Sequence, residues 1–406
     1  MMGKSGSAKT VTPFDGRKSG SETAALAATY TDIGALIADR CPDEPLFCFS
    51  RRFAEQSARR FRAGFPGLVT YAVKANPARE VLHAFVDAGI TTFDVASPGE
   101  MALVRSICPT ATLHYNNPIR SDAEIHRAIT EFGVRHLVVD DLAGLERIAA
   151  QIADPGGIEI SVRLRPVRNM AMHDFRSKFG AEPDDAKALL GAVAAKGFRT
   201  ALTFHPGSQC TDPAAFVGLI FDAAGVAHAA GVTPDTLNVG GGFPARYTDT
   251  EAPLLDRYFA DIRHAFARTF DADKTRLVCE PGRALAAPAM ALLTRVKHVR
   301  ENGDVFLNDG IYGGLMEFMT APLKVPLRAW RGTRPLAGTT GDRRVYGPTC
   351  DPLDVLPMPL ALPENIAPGD WLEFGLVGAY GISTTTGFNG YGGHETVGVD
   401  RILFPA

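Results

Sequence analysis

One alternation dominates this sequence and leaves few folds open to it. Short runs of β-branched, aliphatic and aromatic residues recur near 69–73, 92–95, 112–115, 136–139, 158–164, 201–204, 236–239 and 276–279. Each reads as a buried strand, because a brief apolar run bounded by turn residues suits a strand covered on both faces. Between them lie stretches whose apolar residues return at helical spacing, such as Glu100-Met-Ala-Leu-Val-Arg-Ser and Ala214-Ala-Phe-Val-Gly-Leu-Ile-Phe. Parallel strands need crossover connections, and helices supply them. Eight such units over roughly 215 residues fit a (β/α)8 TIM barrel better than an open doubly wound sheet.

A strand-like run, Pro45-Leu-Phe-Cys-Phe-Ser50, and a helical stretch rich in Arg and Ala from Arg51 to about Arg62 precede that rhythm. Past about residue 286 the helical spacing fades and short β-rich runs alternate with Pro and Gly, as in Ala291-Leu-Leu-Thr-Arg-Val and Trp371-Leu-Glu-Phe. The expected division is a barrel over 51–285 and a mostly antiparallel β domain over 286–406, to which residues 26–50 add a strand. Residues 1–25, rich in Gly, Ser, Thr and Lys, read as a disordered tail without the apolar core of a secretory signal.

Composition narrows the function. With 406 residues, 46% of them hydrophobic, and a net charge of −3, the chain suits two globular domains and presents no field for a polyanion. No basic stripe interleaved with aromatics appears, so nucleic acid is not expected as a partner. No run of about 18 apolar residues occurs, so no membrane span is expected. The six cysteines, at 41, 48, 108, 210, 279 and 350, show no metal-ligand spacing. That scatter predicts a reduced, cytoplasmic protein with no bound metal.

Barrel enzymes carry their chemistry where the strands end. Here those ends hold Lys74, Asp94, Asn116-Asn117, Asp140, Arg163, His205-Pro-Gly-Ser208, Gly240-Gly-Gly242 and Glu280-Pro-Gly-Arg283, which predicts one pocket ringed by functional groups. Taken singly, each admits two readings. Lys74 either snorkels to solvent or escapes the cost of a buried ammonium as an imine on an aldehyde cofactor. The glycine triad is an anion cradle or an ordinary tight turn. His205 stacks on an aromatic ring or is structural. Glu280 holds a pyridine nitrogen protonated or pairs with Arg283 to close a turn. In the second half, Cys350 beside Asp351 is a proton donor next to an ammonium site, or a small buried hydrophobe. Tyr380 and Tyr391 offer phenolic hydroxyls or aromatic core.

As an ordered set, these motifs resemble the fold-type III pyridoxal-phosphate enzymes, and within them the ornithine decarboxylase-like group. The resemblance runs from about residue 45 to 395. It is carried by Tyr71-Ala-Val-Lys-Ala-Asn, Phe93-Asp-Val-Ala-Ser, Ser177-Lys-Phe-Gly-Ala, His205-Pro-Gly-Ser with Cys210-Thr-Asp-Pro, and Gly240-Gly-Gly-Phe-Pro. Glu280-Pro-Gly-Arg, Asn308-Asp-Gly-Ile-Tyr-Gly, Gly347-Pro-Thr-Cys-Asp-Pro-Leu-Asp, Gly378-Ala-Tyr and Phe388-Asn-Gly complete it.

The resemblance implies an alanine racemase-like barrel, pyridoxal 5'-phosphate as cofactor, and decarboxylation of an amino acid, L-ornithine and/or L-lysine to putrescine or cadaverine. Lys74 would be the Schiff-base lysine. Gly240, Gly241, Gly242, Ser208, Arg283 and Tyr380 would hold the phosphate. His205 would stack on the ring, Glu280 would pair with its nitrogen, and Asp94 and Arg163 would lie near both. Cys350 would return a proton after CO2 leaves, and Asp351 would meet the distal amine. The site would be completed across a homodimer, bridged between subunits by Lys178 and Asp354.

One position departs from the pattern. Where ornithine enzymes carry a second aspartate for the distal ammonium, the same offset reaches Ala321. Losing one of two carboxylates around a buried ammonium costs about 1–3 kcal/mol. Glu317 is the candidate substitute if the loop is shifted. The rival readings are a diaminopimelate-type decarboxylase, which usually has Cys-Glu-Ser at Cys350-Asp-Pro, and a racemase, which needs a tyrosine base. A D-amino-acid decarboxylase and a non-catalytic regulator complete them. The regulator is the least consistent, since Lys74, Glu280, Arg283 and Cys350 are all present.

Overall fold

The computed structural model describes residues 29–166, 178–248, 250–321 and 323–404; the tail expected over 1–25, and Ser177, lie outside the described residues. The described chain opens with β1 (Thr29–Asp32) and α1 (Ile33–Arg40), where the Asp32 side chain caps the helix by accepting the Ala35 N–H at 3.0 Å. Then come β2 (Leu46–Phe49) and α2 (Arg51–Gly64). Ala54, Ala58 and Phe61 are buried along one face of α2, and its arginines lie on the other.

The barrel strands are β3 (Leu68–Val69), β4 (Tyr71–Ala72), β5 (Thr92–Val95), β6 (Thr112–Tyr115), β7 (His136–Val139), β8 (Glu159–Arg163), β9 (Arg199–Thr203), β10 (Thr236–Asn238) and β11 (Arg276–Cys279). Every pairing among them is parallel, in the order β3-β11-β10-β9-β8-β7-β6-β5-β4. The two ends of that sheet are consecutive pieces of one strand, separated only by Thr70. β3 pairs with β11, β4 pairs with β5, and the Thr70 N–H donates to the Cys279 carbonyl at 2.8 Å. The sheet therefore closes as an eight-stranded barrel. The sequence predicts one unbroken strand through Val73; the structure breaks it at Thr70, where the chain hands its hydrogen bonds from one neighbour to the other.

Helices α3 (Arg79–Asp87), α4 (Pro98–Ile107), α5 (Asp122–Thr130), α6 (Leu142–Ala149), α7 (Pro183–Ala195), α8 (Ala214–Ala230) and α9 (Leu255–Thr269) alternate with the strands. Their starts follow local chemistry. Ser97 caps α4 ahead of Pro98, and Ser121 with Glu124 forms a reciprocal capping box on α5. A short helix, α10 (Arg283–Ala286), leads out of the barrel.

The remaining strands are β12 (Met290–Val299), β13 (Val305–Leu307), β14 (Leu327–Arg331), β15 (Arg334–Pro335), β16 (Thr340–Arg343), β17 (Val345–Tyr346), β18 (Leu360–Pro363), β19 (Trp371–Phe374) and β20 (Glu395–Arg401), with α11 (Glu317–Thr320) among them. A curled sheet runs β1-β20-β2-β12-β19-β14-β15 and is mostly antiparallel, with β20 parallel to both β1 and β2. The run at 45–50 thus joins this sheet, as its composition suggests. Two ties fix the sheet to the barrel mouth: Asn76 Nδ2 donates to the Gly378 carbonyl at 2.7 Å, and the Tyr380 N–H donates to the Ala75 carbonyl at 2.7 Å. Among the described residues, no helix is long and apolar enough to cross a membrane.

Candidate active site

Lys74 sits in a single 3-10 turn, Val73–Ala75, that β4 runs into at the carboxyl end of the barrel. Asn76 ends that turn and is fully buried; its side-chain oxygen accepts the Ala78 N–H. The lysine projects into a cavity of about 480 Å³ that it shares with Asp94, Asn116, Asn117, Arg163, Lys178, His205 and Glu280. Six strand ends contribute, those of β4, β5, β6, β8, β9 and β11, so Lys74, Asp94, Asn116, Asn117, Arg163, His205 and Glu280 converge there.

Electrostatics give the cavity its character. Burial is the largest influence on the Lys74 ammonium and works against it, yet Asp94, Tyr380 and Glu280 together outweigh it and the net shift is upward. Sequence reasoning stressed the burial and missed this balance. Asp94 is itself raised by burial, against the pull of Lys74 and Arg163. Burial, with Asp94 in support, pushes Glu280 up to about 8. His205 is held well below its ordinary value by burial and by the cations Lys74 and Arg163. Its Nδ1 accepts the Gly207 N–H at 3.0 Å, which fixes a neutral ring at the cavity wall.

Beside this cavity lies an anion anchor. Arg283, at the start of α10, is buried and reaches three side chains: Ser208 Oγ at 3.2 Å, the Tyr247 hydroxyl at 3.0 Å and Glu317 Oε1 at 3.0 Å. Its guanidinium lies 5.0 Å from the Tyr380 ring centre. The glycine loop closes the site from β10. Gly240 and Gly242 have φ of +69° and +91°, and a Cβ on either would strike the carbonyl oxygen of Phe204 or Gly207. A Cβ on Gly241 would come within 3.0 Å of His205 Nε2. Only glycine allows backbone N–H groups so near the space over His205. Tyr247 was not singled out from the sequence; it follows Pro244 in an irregular stretch with no periodicity to mark it.

A fixed guanidinium with hydroxyls and a glycine cradle, next to a lysine, a flat neutral imidazole and a carboxylate, fits pyridoxal phosphate. That group supplies an aldehyde and an electron-accepting ring. Arg283, Ser208, Tyr380 and the glycines would hold its phosphate, Lys74 its aldehyde carbon, and Glu280 its ring nitrogen.

Other expected residues lie elsewhere in the protomer. Cys350 and Asp351 do not line the Lys74 cavity. Cys350 is exposed, with its thiol donating to Asn389 Oδ1 at 3.3 Å. Asp351 Oδ2 accepts from the Tyr312 hydroxyl at 2.8 Å. Glu317, offered by the sequence as a substitute acid for the substrate, instead pairs with Arg283. Ala321 is buried in the apolar core. Asp354 is buried, and its carboxylate accepts from the Ile311 N–H, the Thr349 N–H and the Thr349 hydroxyl, so it braces its own loop. Lys178 stands 5.0 Å from the Phe179 ring at the cavity edge.

Residues 51–287 match the family described as pyridoxal-dependent decarboxylase, pyridoxal binding domain. A decarboxylase of Aspergillus flavus, flvG, is 32% identical over 79% of this chain and 77% of its own length. A lysine/ornithine decarboxylase of Selenomonas ruminantium is 30% identical over 87% of this chain and 89% of its own. Among solved structures, the lysine/ornithine decarboxylase of Vibrio vulnificus complexed with cadaverine superposes with a TM-score of 0.79 at 29% identity, covering 91% of this chain and 98% of that one. The chain belongs to the pyridoxal-dependent decarboxylases. It is a pyridoxal-phosphate-dependent carboxy-lyase of the ornithine/lysine decarboxylase type.

Proposed function

We propose that this enzyme decarboxylates a basic amino acid, L-ornithine and/or L-lysine, releasing putrescine or cadaverine. The observation that carries the reaction is the convergence of Lys74, Asp94, His205 and Glu280 on one cavity beside the Arg283 anchor. Asp94 stands ready to take the proton that Lys74 must lose before its amine can react. His205 walls one face of the cavity with a neutral ring. Arg163 and Lys178 at the cavity edge favour a substrate carboxylate on entry.

Two further elements would come from a second copy of the chain. Cys350 is a thiol poised by Asn389, suited to returning a proton to carbon, and Asp351 is a carboxylate suited to a distal ammonium. The Leu353 N–H and the Tyr312 hydroxyl lower Asp351 below the usual carboxylate range, which keeps it anionic. Both lie outside the Lys74 cavity of their own protomer, which favours a homodimer with shared sites. In such a dimer Lys178 would approach the Asp354 loop of the other copy. The relatives that act on lysine and ornithine, and the neighbour complexed with cadaverine, support the substrate class.

Ala321 favours a second reading, an amino acid whose side chain ends in something other than a simple ammonium, such as diaminopimelate or a modified side chain; a D-amino acid joins it because side-chain contacts do not reveal handedness. The test is CO2 release from L-ornithine, L-lysine, L-arginine, diaminopimelate, D-ornithine and D-lysine. Release from L-ornithine or L-lysine supports the first reading. Release only from one of the others replaces it with the second.

A further inference from the structure

Asp94 in β5 and Glu280 just past β11 line the same cavity, and two side-chain amides meet on Glu280. Asn116, immediately after β6, donates its side-chain N–H to Glu280 Oε1. Asn238 gives its own Nδ2 to the same Glu280 oxygen. The Asn238 amide has a fixed orientation, since its Oδ1 accepts the Gly240 N–H at 2.9 Å. Glu280 Oε1 therefore carries two amide donors, one from each side. A carboxylate offers about four lone-pair positions, so Oε2 remains for a further donor.

We propose that Asn116 is a positioning residue for the carboxylate that meets the cofactor's ring nitrogen: its amide, together with that of Asn238, holds Glu280 Oε1 and leaves Oε2 to face the ring. The inference rests on the pyridoxal-phosphate reading of the site. A pyridine nitrogen stays protonated only opposite an anion, and an anion buried here is costly. Burial raises Glu280 and Asp94 adds to the effect, while Lys74 and Arg163 oppose it from the turn after β4 and from the end of β8. His205, beyond β9, is neutral and adds no charge. Asn116 and Asn238 are the neutral groups that stabilise the ionised carboxylate by hydrogen bonding. Removing Asn116 takes away one of the two amide donors that Glu280 Oε1 receives.

The test is a titration of pyridoxal phosphate into the cofactor-free enzyme from pH 6 to 9, read by absorbance, for the wild type, Asn116→Ala, Asn116→Asp and Asn116→Gln. Cofactor phosphate and Lys74 titrate in every one of these proteins, so the difference between profiles isolates the carboxylates. In Asn116→Ala the pH at which affinity reaches its plateau should move up by about half to one unit, with a loss of up to roughly tenfold at pH 7. Asn116→Asp, which adds a third anion at unchanged size, should move it further, and Asn116→Gln should restore it in part. Superimposable pH profiles for the wild type and Asn116→Ala overturn the clamp, even if affinity falls uniformly, because a uniform fall marks packing alone. If Asn116→Ala does not fold, the isosteric Asn116→Asp carries the comparison. A wild type that takes up no cofactor at any pH overturns the cofactor reading, and the clamp with it.

Discussion

Lys74 and Glu280 show how far a residue's chemistry departs from what its position in the sequence suggests. A lysine at a buried strand end reads as an amine stripped of its charge, yet Asp94, Tyr380 and Glu280 together reverse that balance. Glu280 goes the other way: its ordinary value of 4.5 rises to about 8. Between those values the cofactor-free native protein keeps a proton that the unfolded chain has lost. Stability must therefore fall as pH rises through that window, by at most about 1.4 kcal/mol per pH unit for this one group. Melting temperatures of the cofactor-free protein from pH 5 to 8 should show the decline, and Glu280→Gln should flatten it. An unchanged slope in Glu280→Gln would contradict the assignment. Asp94, Arg163 and Glu280 were legible as strand-end residues. The amides of Asn116 and Asn238 that hold Glu280 had no assigned role, since nothing in their spacing shows which carboxylate they will meet.

The elements were most legible where burial on both faces gives a strand a distinctive composition. β5, β6, β7 and β11 fall where their apolar runs predict. The break at Thr70 was not legible, because it comes from barrel closure, a contact between the first and last strands. α1 and β20 were missed as well: the first is a short helix in a segment read for its strand, and the second is a half-exposed strand whose partners are far away in sequence. The glycine loop after β10 is where element and site meet. Gly240 needs a left-handed φ and lies against the Phe204 carbonyl. Gly240→Ala should cost about 1–2 kcal/mol in backbone conformation alone and displace the loop from His205. Its signature is a large loss of pyridoxal phosphate affinity with the barrel still folded by circular dichroism. Retained affinity would mean that the loop does not hold the phosphate.

At the scale of the molecule, the groups expected to act together lie in two separate parts of the protomer. The Lys74 cavity belongs to the barrel, and the loop of Cys350 and Asp351 belongs to the β domain, braced by Asp354. If two copies complete each other, Lys74→Ala and Cys350→Ala subunits, each inactive alone, should regain about a quarter of wild-type activity when mixed and allowed to exchange, because half the dimers then carry one intact site of two. No recovery would contradict the shared site. The substrate was less legible than the reaction. The family's motifs fix the cofactor chemistry, whereas the distal group depends on one loop, and there Ala321 is buried among apolar side chains and Glu317 is drawn to Arg283.

The measurement that bears most directly on the enzyme's chemistry is the absorbance of the purified protein near 420 nm, with and without added pyridoxal phosphate, in the wild type and in Lys74→Ala. The expected result is a band in the wild type that Lys74→Ala abolishes, because the lysine at the turn after β4 is the residue that would hold the cofactor's aldehyde carbon. A wild-type protein with no such band, or a band that survives Lys74→Ala unchanged, would contradict it.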